Sequence, residues 1–136
     1  NKLVSLVDHS YNANPKSMSL VIKSFDQLKI KRDNNKIVVL TDMLELGKRS
    51  LIFHKAILEQ LRKSSINQIV LAGKLFKKAT RTIPKKNQEK VFHKLSEALI
   101  YLKKVLNSGD TLMIKGSNAT GLNDFAKKLK RKKSVI

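Results

Sequence analysis

At 136 residues and 41% hydrophobic content, the chain is sized for one domain with a real core rather than for disorder. Twenty-nine Lys+Arg against 10 Asp+Glu leave a formal charge of +19, which raises a polyanion such as nucleic acid as a first candidate partner. The absence of cysteine excludes disulfides, thiolate zinc sites and cysteine nucleophiles; His9, His54 and His93 make no ligand-spaced pair, and no apolar run approaches the ~18–20 residues of a membrane span.

In chain order, Leu3-Val4-Ser5-Leu6-Val7 reads as a strand ending at Asp8. After a polar loop, Asn14-Pro15 is a helix start, with Asn as cap and Pro at the first position. Met18, Val21, Ile22, Phe25 and Leu28 then fall on one helical face. Asp33-Asn34-Asn35 is turn chemistry, and Lys36 to Leu40 is a second strand, apolar on both faces as in a buried parallel sheet. Ser50 is expected to cap a helix burying Phe53, Ala56, Ile57 and Leu61, followed by a third strand, Gln68 to Ala72, closed by Gly73. A short helix from Leu75 to Thr80 leads through Pro84 to a weak strand at Lys90-Val91-Phe92. The next helix buries Leu95, Leu99, Leu102 and Leu106, and Asn107-Ser108-Gly109-Asp110 turns the chain into a fifth strand, Thr111 to Lys115. A final helix carries Leu122, Phe125, Ala126 and Leu129.

The alternation predicts an α/β, Rossmann-like fold: a mostly parallel sheet of five to six strands with helices on both faces. One domain is expected over residues 1–129, with 130–136 as a basic tail, and a chain opening at Asn1 is expected to be a piece of a longer protein. In such folds ligands meet the carboxyl ends of the strands, which directs attention to Asp8 to Asn14, Thr41 to Arg49, Gly73-Lys74, the stretch after Phe92, and Gly116 to Gly121.

The charge is a weak guide to a partner. Its 24 Lys against 5 Arg are spread along nearly every segment, whereas specific phosphate and base recognition favours the bidentate guanidinium. A lysine-rich solvated surface is the stronger reading, and a nucleic-acid module the alternative. Three loops are more specific. Asp8-His9-Ser10-Tyr11-Asn12-Ala13-Asn14-Pro15 sets an acid, hydroxyls and amides before a helix start, suited to a sugar, an amide or a nucleotide; a well-capped loop is the plainer reading. Thr41-Asp42-Met43-Leu44-Glu45-Leu46-Gly47 holds apolar residues between two acids, which suits a plug over the sheet end. Lys115-Gly116-Ser117 joins a cation, a hydroxyl and backbone N–H groups, a setting for carboxylate or phosphate, without the order of a P-loop. A phosphoacceptor receiver domain is excluded, because Ala72-Gly73-Lys74 offers no acid after the third strand.

Together, Asp-x-Ser-Tyr-Asn-Ala-Asn-Pro, Asp-Met-Leu-Glu-Leu-Gly with His54 seven residues beyond the Gly, and Lys-Gly-Ser resemble the C-terminal domain of the Mur ligases, in the branch that adds D-alanyl-D-alanine. The resemblance spans essentially the whole chain. It implies the third domain of an ATP- and Mg2+-dependent, bacterial cytoplasmic ligase of peptidoglycan synthesis, part of cell-wall biogenesis and division. That enzyme activates the tripeptide carboxylate of UDP-N-acetylmuramoyl-tripeptide as an acyl phosphate, which the amine of D-alanyl-D-alanine attacks. ATP and Mg2+ would be held mainly by a central P-loop domain, so this chain alone would be inactive and would carry no catalytic or metal-binding residue.

On the matching positions, the resemblance implies Asp8, Tyr11, Asn12 and Asn14 for the nucleotide, and Lys115 and Ser117 for the dipeptide carboxylate. Asp42, Glu45 and His54 match the second motif, where helix capping and domain-interface packing serve nearly as well. His9 stands where the family carries a second acid, so either His9 donates to the ribose or Asp8 takes over the contact. Thr41 replaces a usual Gly, and Asn118 to Leu122 departs from the family pattern.

Overall fold

The computed structural model describes residues 5–9, 13–83 and 88–116. Five strands, β1 (Ser5–His9), β2 (Lys36–Thr41), β3 (Gln68–Ala72), β4 (Glu89–Phe92) and β5 (Thr111–Lys115), form one parallel sheet in the spatial order β1-β5-β2-β3-β4. Four helices connect them: α1 (Pro15–Gln27), α2 (Ser50–Arg62), α3 (Lys74–Thr82) and α4 (Leu95–Val105). The expected final helix and the basic tail lie outside the described residues.

The topology explains the layering. The chain steps in one direction from β2 to β3 to β4, and right-handed crossovers then put α1, α2 and α3 on one face. The return from β4 to β5 reverses direction and puts α4 on the other. Alternate residues of β2 serve the two cores: Val38 and Leu40 pack with Met18, Ile22, Leu58 and Phe76, whereas Ile37 and Val39 pack with Ala98 and Leu102. All six β2 residues are buried, as the continuous apolar run requires. Each buried Leu, Ile or Met side chain contributes about 1.5–3 kcal/mol, so this double burial makes β2 the stabilising centre of the sheet.

The amino end of the sheet is fastened by polar side chains. Lys36, opening β2, sends its ammonium to the carbonyls of Asp26 and Leu28 at 2.6 and 3.1 Å and to Ser65 Oγ at 3.1 Å. It therefore supplies the cation at the carboxyl end of α1, whose own last turn has no basic residue. The Asp110 carboxylate accepts from the N–H groups of Asn35 and Asn107, both at 2.8 Å, tying the entry of β2 to that of β5. Arg62 at the end of α2 grips Glu89 of β4 with two bonds, 3.0 and 2.6 Å, and the Glu89 side chain is fully buried.

Helix α2 departs from the sequence expectation. A 3-10 turn, Gly47–Arg49, runs directly into it, so Ser50 is its first residue and makes no capping bond; the Ser50 N–H donates to the Gly47 carbonyl instead. The buried face is His54, Ile57, Leu58 and Leu61, with Ala56 exposed and Phe53 only partly buried. The inner stripe includes a polar residue, His54, which a purely apolar count passes over.

Candidate functional site

The carboxyl ends of the five strands bring the singled-out loops to one edge of the sheet. Register sets Asp8 beside Ile114 and His9 beside Lys115, with Lys115 also paired to Leu40. Lys115 thus ends the strand between β1 and β2, next to the loop that begins at His9. It is 5% exposed, and burial lowers its pKa from the ordinary lysine value. Asp8 is half-buried. Tyr11, Asn12 and Ser117 lie outside the described residues.

Asn14 has the capping role that its position before Pro15 suggested. Its Oδ1 accepts from the Ser17 N–H at 2.9 Å, and Ser17 Oγ accepts from the Asn14 N–H at 3.2 Å, a reciprocal box that starts α1. The side-chain oxygen proposed for a nucleotide is therefore engaged in holding the helix.

Asp42 and His54 are brought together, and both bond to backbone groups of other residues. The Asp42 carboxylate accepts from the N–H groups of Leu75 and Phe76, each at 3.0 Å, so it caps α3 from the loop after β2. The residue before α3 is Gly73, which has no side chain to cap with, and α3 carries no acid in its first turn. Gly73 sits at φ +131°, and a Cβ there would run into the Asp42 carboxylate. Only glycine lets the two segments close this way.

His54 is fully buried in α2. Its Nε2 accepts from the Met43 N–H at 3.0 Å, and its Nδ1 lies 2.7 Å from the Ser50 carbonyl. A backbone N–H can only donate and a carbonyl only accept, which fixes the neutral tautomer with the proton on Nδ1. Burial lowers its pKa; the Ser50 carbonyl and the Asp42 carboxylate, 3.9 Å away, oppose that shift less strongly. Phe76 of α3 meets the imidazole edge-on at 4.7 Å between ring centres. Asp42 and His54 thus fasten the loop Thr41–Gly47 to α3 and α2. Capping and packing account for these two side chains. Glu45 is exposed at the loop tip with φ +61°, a left-handed conformation that few non-glycine residues adopt.

Beside this latch lies an open cleft of about 310 Å³ at the ends of β2, β3 and β4. Thr41, Ala72 and Gly73 form its base, Leu44 and Leu95 its apolar walls, and His93 and Lys94 its polar rim. Thr41, Asp42 and Leu44 belong to the second motif loop, so this loop, Gly73 and the stretch after Phe92, three of the five segments that the fold pointed to, meet here. Among the described residues, no group of three His, Asp or Glu side chains is arranged to hold a metal ion, and no helix is long and apolar enough to cross a membrane.

Residues 1–118 match the family model described as Mur ligase, glutamate ligase domain. The chain is 33% identical over 131 residues to the UDP-N-acetylmuramoyl-tripeptide–D-alanyl-D-alanine ligase of Buchnera aphidicola subsp. Baizongia pistaciae, covering 95% of this chain and 27% of that protein. It is 34% identical to the ligase of the same name from Buchnera aphidicola subsp. Acyrthosiphon pisum, covering 93% and 28%. Among solved structures it superposes on MurF from Acinetobacter baumannii with a TM-score of 0.74 at 26% identity, over 90% of this chain and 26% of that one. The chain therefore spans about a quarter of the length of these relatives. By the match over residues 1–118, it belongs to the glutamate ligase domain family of the Mur ligases.

Proposed function

We propose that this chain is the third domain of a UDP-N-acetylmuramoyl-tripeptide–D-alanyl-D-alanine ligase acting in the bacterial cytoplasm. The observation that supports it most is the pair of relatives with that name, each matched over more than nine-tenths of this chain. In this reading, ATP and Mg2+ are held mainly by a central domain, where the tripeptide carboxylate becomes an acyl phosphate. The domain described here closes over that centre, excludes water and orients the amine of D-alanyl-D-alanine for attack. Water exclusion matters because the acyl phosphate otherwise hydrolyses.

The residues divide by strand. Asp8 at the end of β1, with Tyr11, Asn12 and His9, serves the nucleotide side, and Asn14 holds the helix that follows. Lys115 and Ser117 at the end of β5 serve an anionic group of the substrates. A buried lysine suits that task, since its attraction for an anion is stronger where water is excluded. Asp42, His54 and Glu45 act through the shape of the second loop. The nucleic-acid alternative gains nothing from the ligase relatives, and at least two lysines, Lys36 and Lys115, are buried rather than spread on a binding face.

The test is reconstitution. The full-length protein with ATP, Mg2+, UDP-tripeptide and D-alanyl-D-alanine is expected to release ADP and phosphate only when the dipeptide is present. The isolated chain is expected to release none above background. Dipeptide-independent turnover by the full-length protein, or turnover by the isolated chain, would overturn the reading.

A further inference from the structure

We propose that the outer face of α3 is a docking surface for an anionic lipid bilayer, with Lys74, Lys77, Lys78 and Arg81 as its contacts. This goes beyond the ligase reading and does not depend on it.

The four positions are spaced i, i+3, i+4 and i+7, so they fall within about 100° of the helix circumference. All four are exposed, whereas Phe76, Ala79 and Thr80 point the opposite way and are buried. Helix α3 links β3 to the edge strand β4 and packs against both and against α2. Its cationic stripe, roughly 10 Å long, therefore looks outward from the flank of the sheet.

The stripe is more than a share of the general lysine excess. The other three described helices each carry an acid, Asp26 in α1, Glu59 in α2 and Glu97 in α4, and α3 carries none. Among the described residues, no acid pairs with any of its four cations. Lys74 repels Lys77 and Lys78, and Arg81 repels the same two, all at the spacings where helical neighbours meet. Lys74 also stands in the first turn, where the helix dipole disfavours a cation. An anionic surface laid on the stripe relieves both costs.

The chemistry of the face selects that surface. Its outward residues include no aromatic ring to stack on a base or to anchor a protein interface, and a single Arg to fork onto a base edge. Lysine ammoniums act as point charges, and mobile lipid headgroups can gather beneath them without a matching shape. Each cation held near such a layer strengthens binding about fivefold, so four give roughly several hundredfold. The apolar side of α3 is already buried in the core, which makes the contact peripheral, reversible and salt-sensitive.

The experiment sediments the full-length protein with vesicles of phosphatidylcholine, alone or with about one-third phosphatidylglycerol. Wild type is expected to bind only the anionic vesicles and to be released by about 0.5 M NaCl. Lys77→Gln/Lys78→Gln/Arg81→Gln, which spares Lys74 beside the strand ends, is expected to weaken binding about a hundredfold. Relief of repulsion should hold its unfolding midpoint at or above the wild-type value. Arg81→Gln alone, with about a fivefold loss expected, serves if the triple variant is unstable. Lys16→Gln/Lys23→Gln/Lys104→Gln removes the same charge from exposed positions on α1 and α4 and is expected to bind nearly as wild type does. Wild type without preference for anionic vesicles, binding that survives the salt, or equal losses in the two triple variants would overturn the proposal. Tighter binding to random duplex DNA than to anionic vesicles at equal phosphate would assign the stripe to nucleic acid and overturn it as well.

Discussion

The two ends of the sheet handle polar groups in different ways. At the amino end, Lys36, Asp110 and the Arg62–Glu89 pair close on backbone or on each other, and they join elements far apart in sequence. At the carboxyl end, Asp42 and His54 also close on backbone, but their bonds hold a loop in shape beside an open cleft. The same chemistry thus seals one end and props the other open. A buried ionic contact marks a ligand site only where geometry leaves room for a ligand.

Substitution can break this contrast, and the largest effect is expected at the sealed end. Arg62→Met leaves the fully buried Glu89 carboxylate without its guanidinium and should cost about 3–5 kcal/mol in denaturant unfolding. The double variant Arg62→Met/Glu89→Leu should recover most of that loss. In the full-length enzyme the double variant should leave dipeptide KM where it was, and a shift there would mean that the amino end reaches the site.

Gly73→Ala comes next, at about 2–3 kcal/mol, since it combines an unfavourable φ with overlap against Asp42. Because Gly73 forms the base of the cleft, this variant should also reshape that surface, which separates it from the Arg62 pair. Asp42→Ala removes two bonds to the start of α3 and should cost about 1–2 kcal/mol, measurable as a lower unfolding midpoint.

The smallest effect is pH dependence. His54 is held neutral, with its pKa below the unfolded value of 6.5, so the unfolded chain binds the extra proton first. Its contribution is complete above pH 6.5 and declines as pH falls toward the folded-state pKa, with a slope of at most ~1.4 kcal/mol per pH unit. Unfolding curves for wild type and His54→Gln from pH 7.5 to 5 should converge on the acid side. Parallel curves would place the sensitivity elsewhere.

The sealed end was nearly invisible in the sequence, whereas much of the scaffold was plain. Asn14-Pro15 announced α1 to the residue, and Ile37 to Leu40 announced a strand covered on both faces. Glu89 gave no such sign, because its partner is 27 positions away on another element. Neither did the insertion of β5 between β1 and β2, since strand order is not written in local periodicity. At the other end, the second motif drew attention to Asp42 and His54 without telling capping from binding. That distinction depends on Leu75, Phe76 and Met43, backbone donors that no residue type advertises. The cleft joins the second motif loop to Gly73 and to the stretch after Phe92, and that meeting of three separate segments emerges only with the fold.

The capping of α3 from outside also bears on the order of assembly. A nine-residue helix that opens after Gly73 and carries Lys74, Lys77, Lys78 and Arg81 is too short and too like-charged to persist alone in water. Its missing acceptor arrives only when β2 and β3 are paired, bringing Asp42 across 33 positions of chain. Helix α3 thus depends on the pairing of β2 and β3 for its N-terminal acceptor, and its formation is expected to follow that pairing rather than precede it.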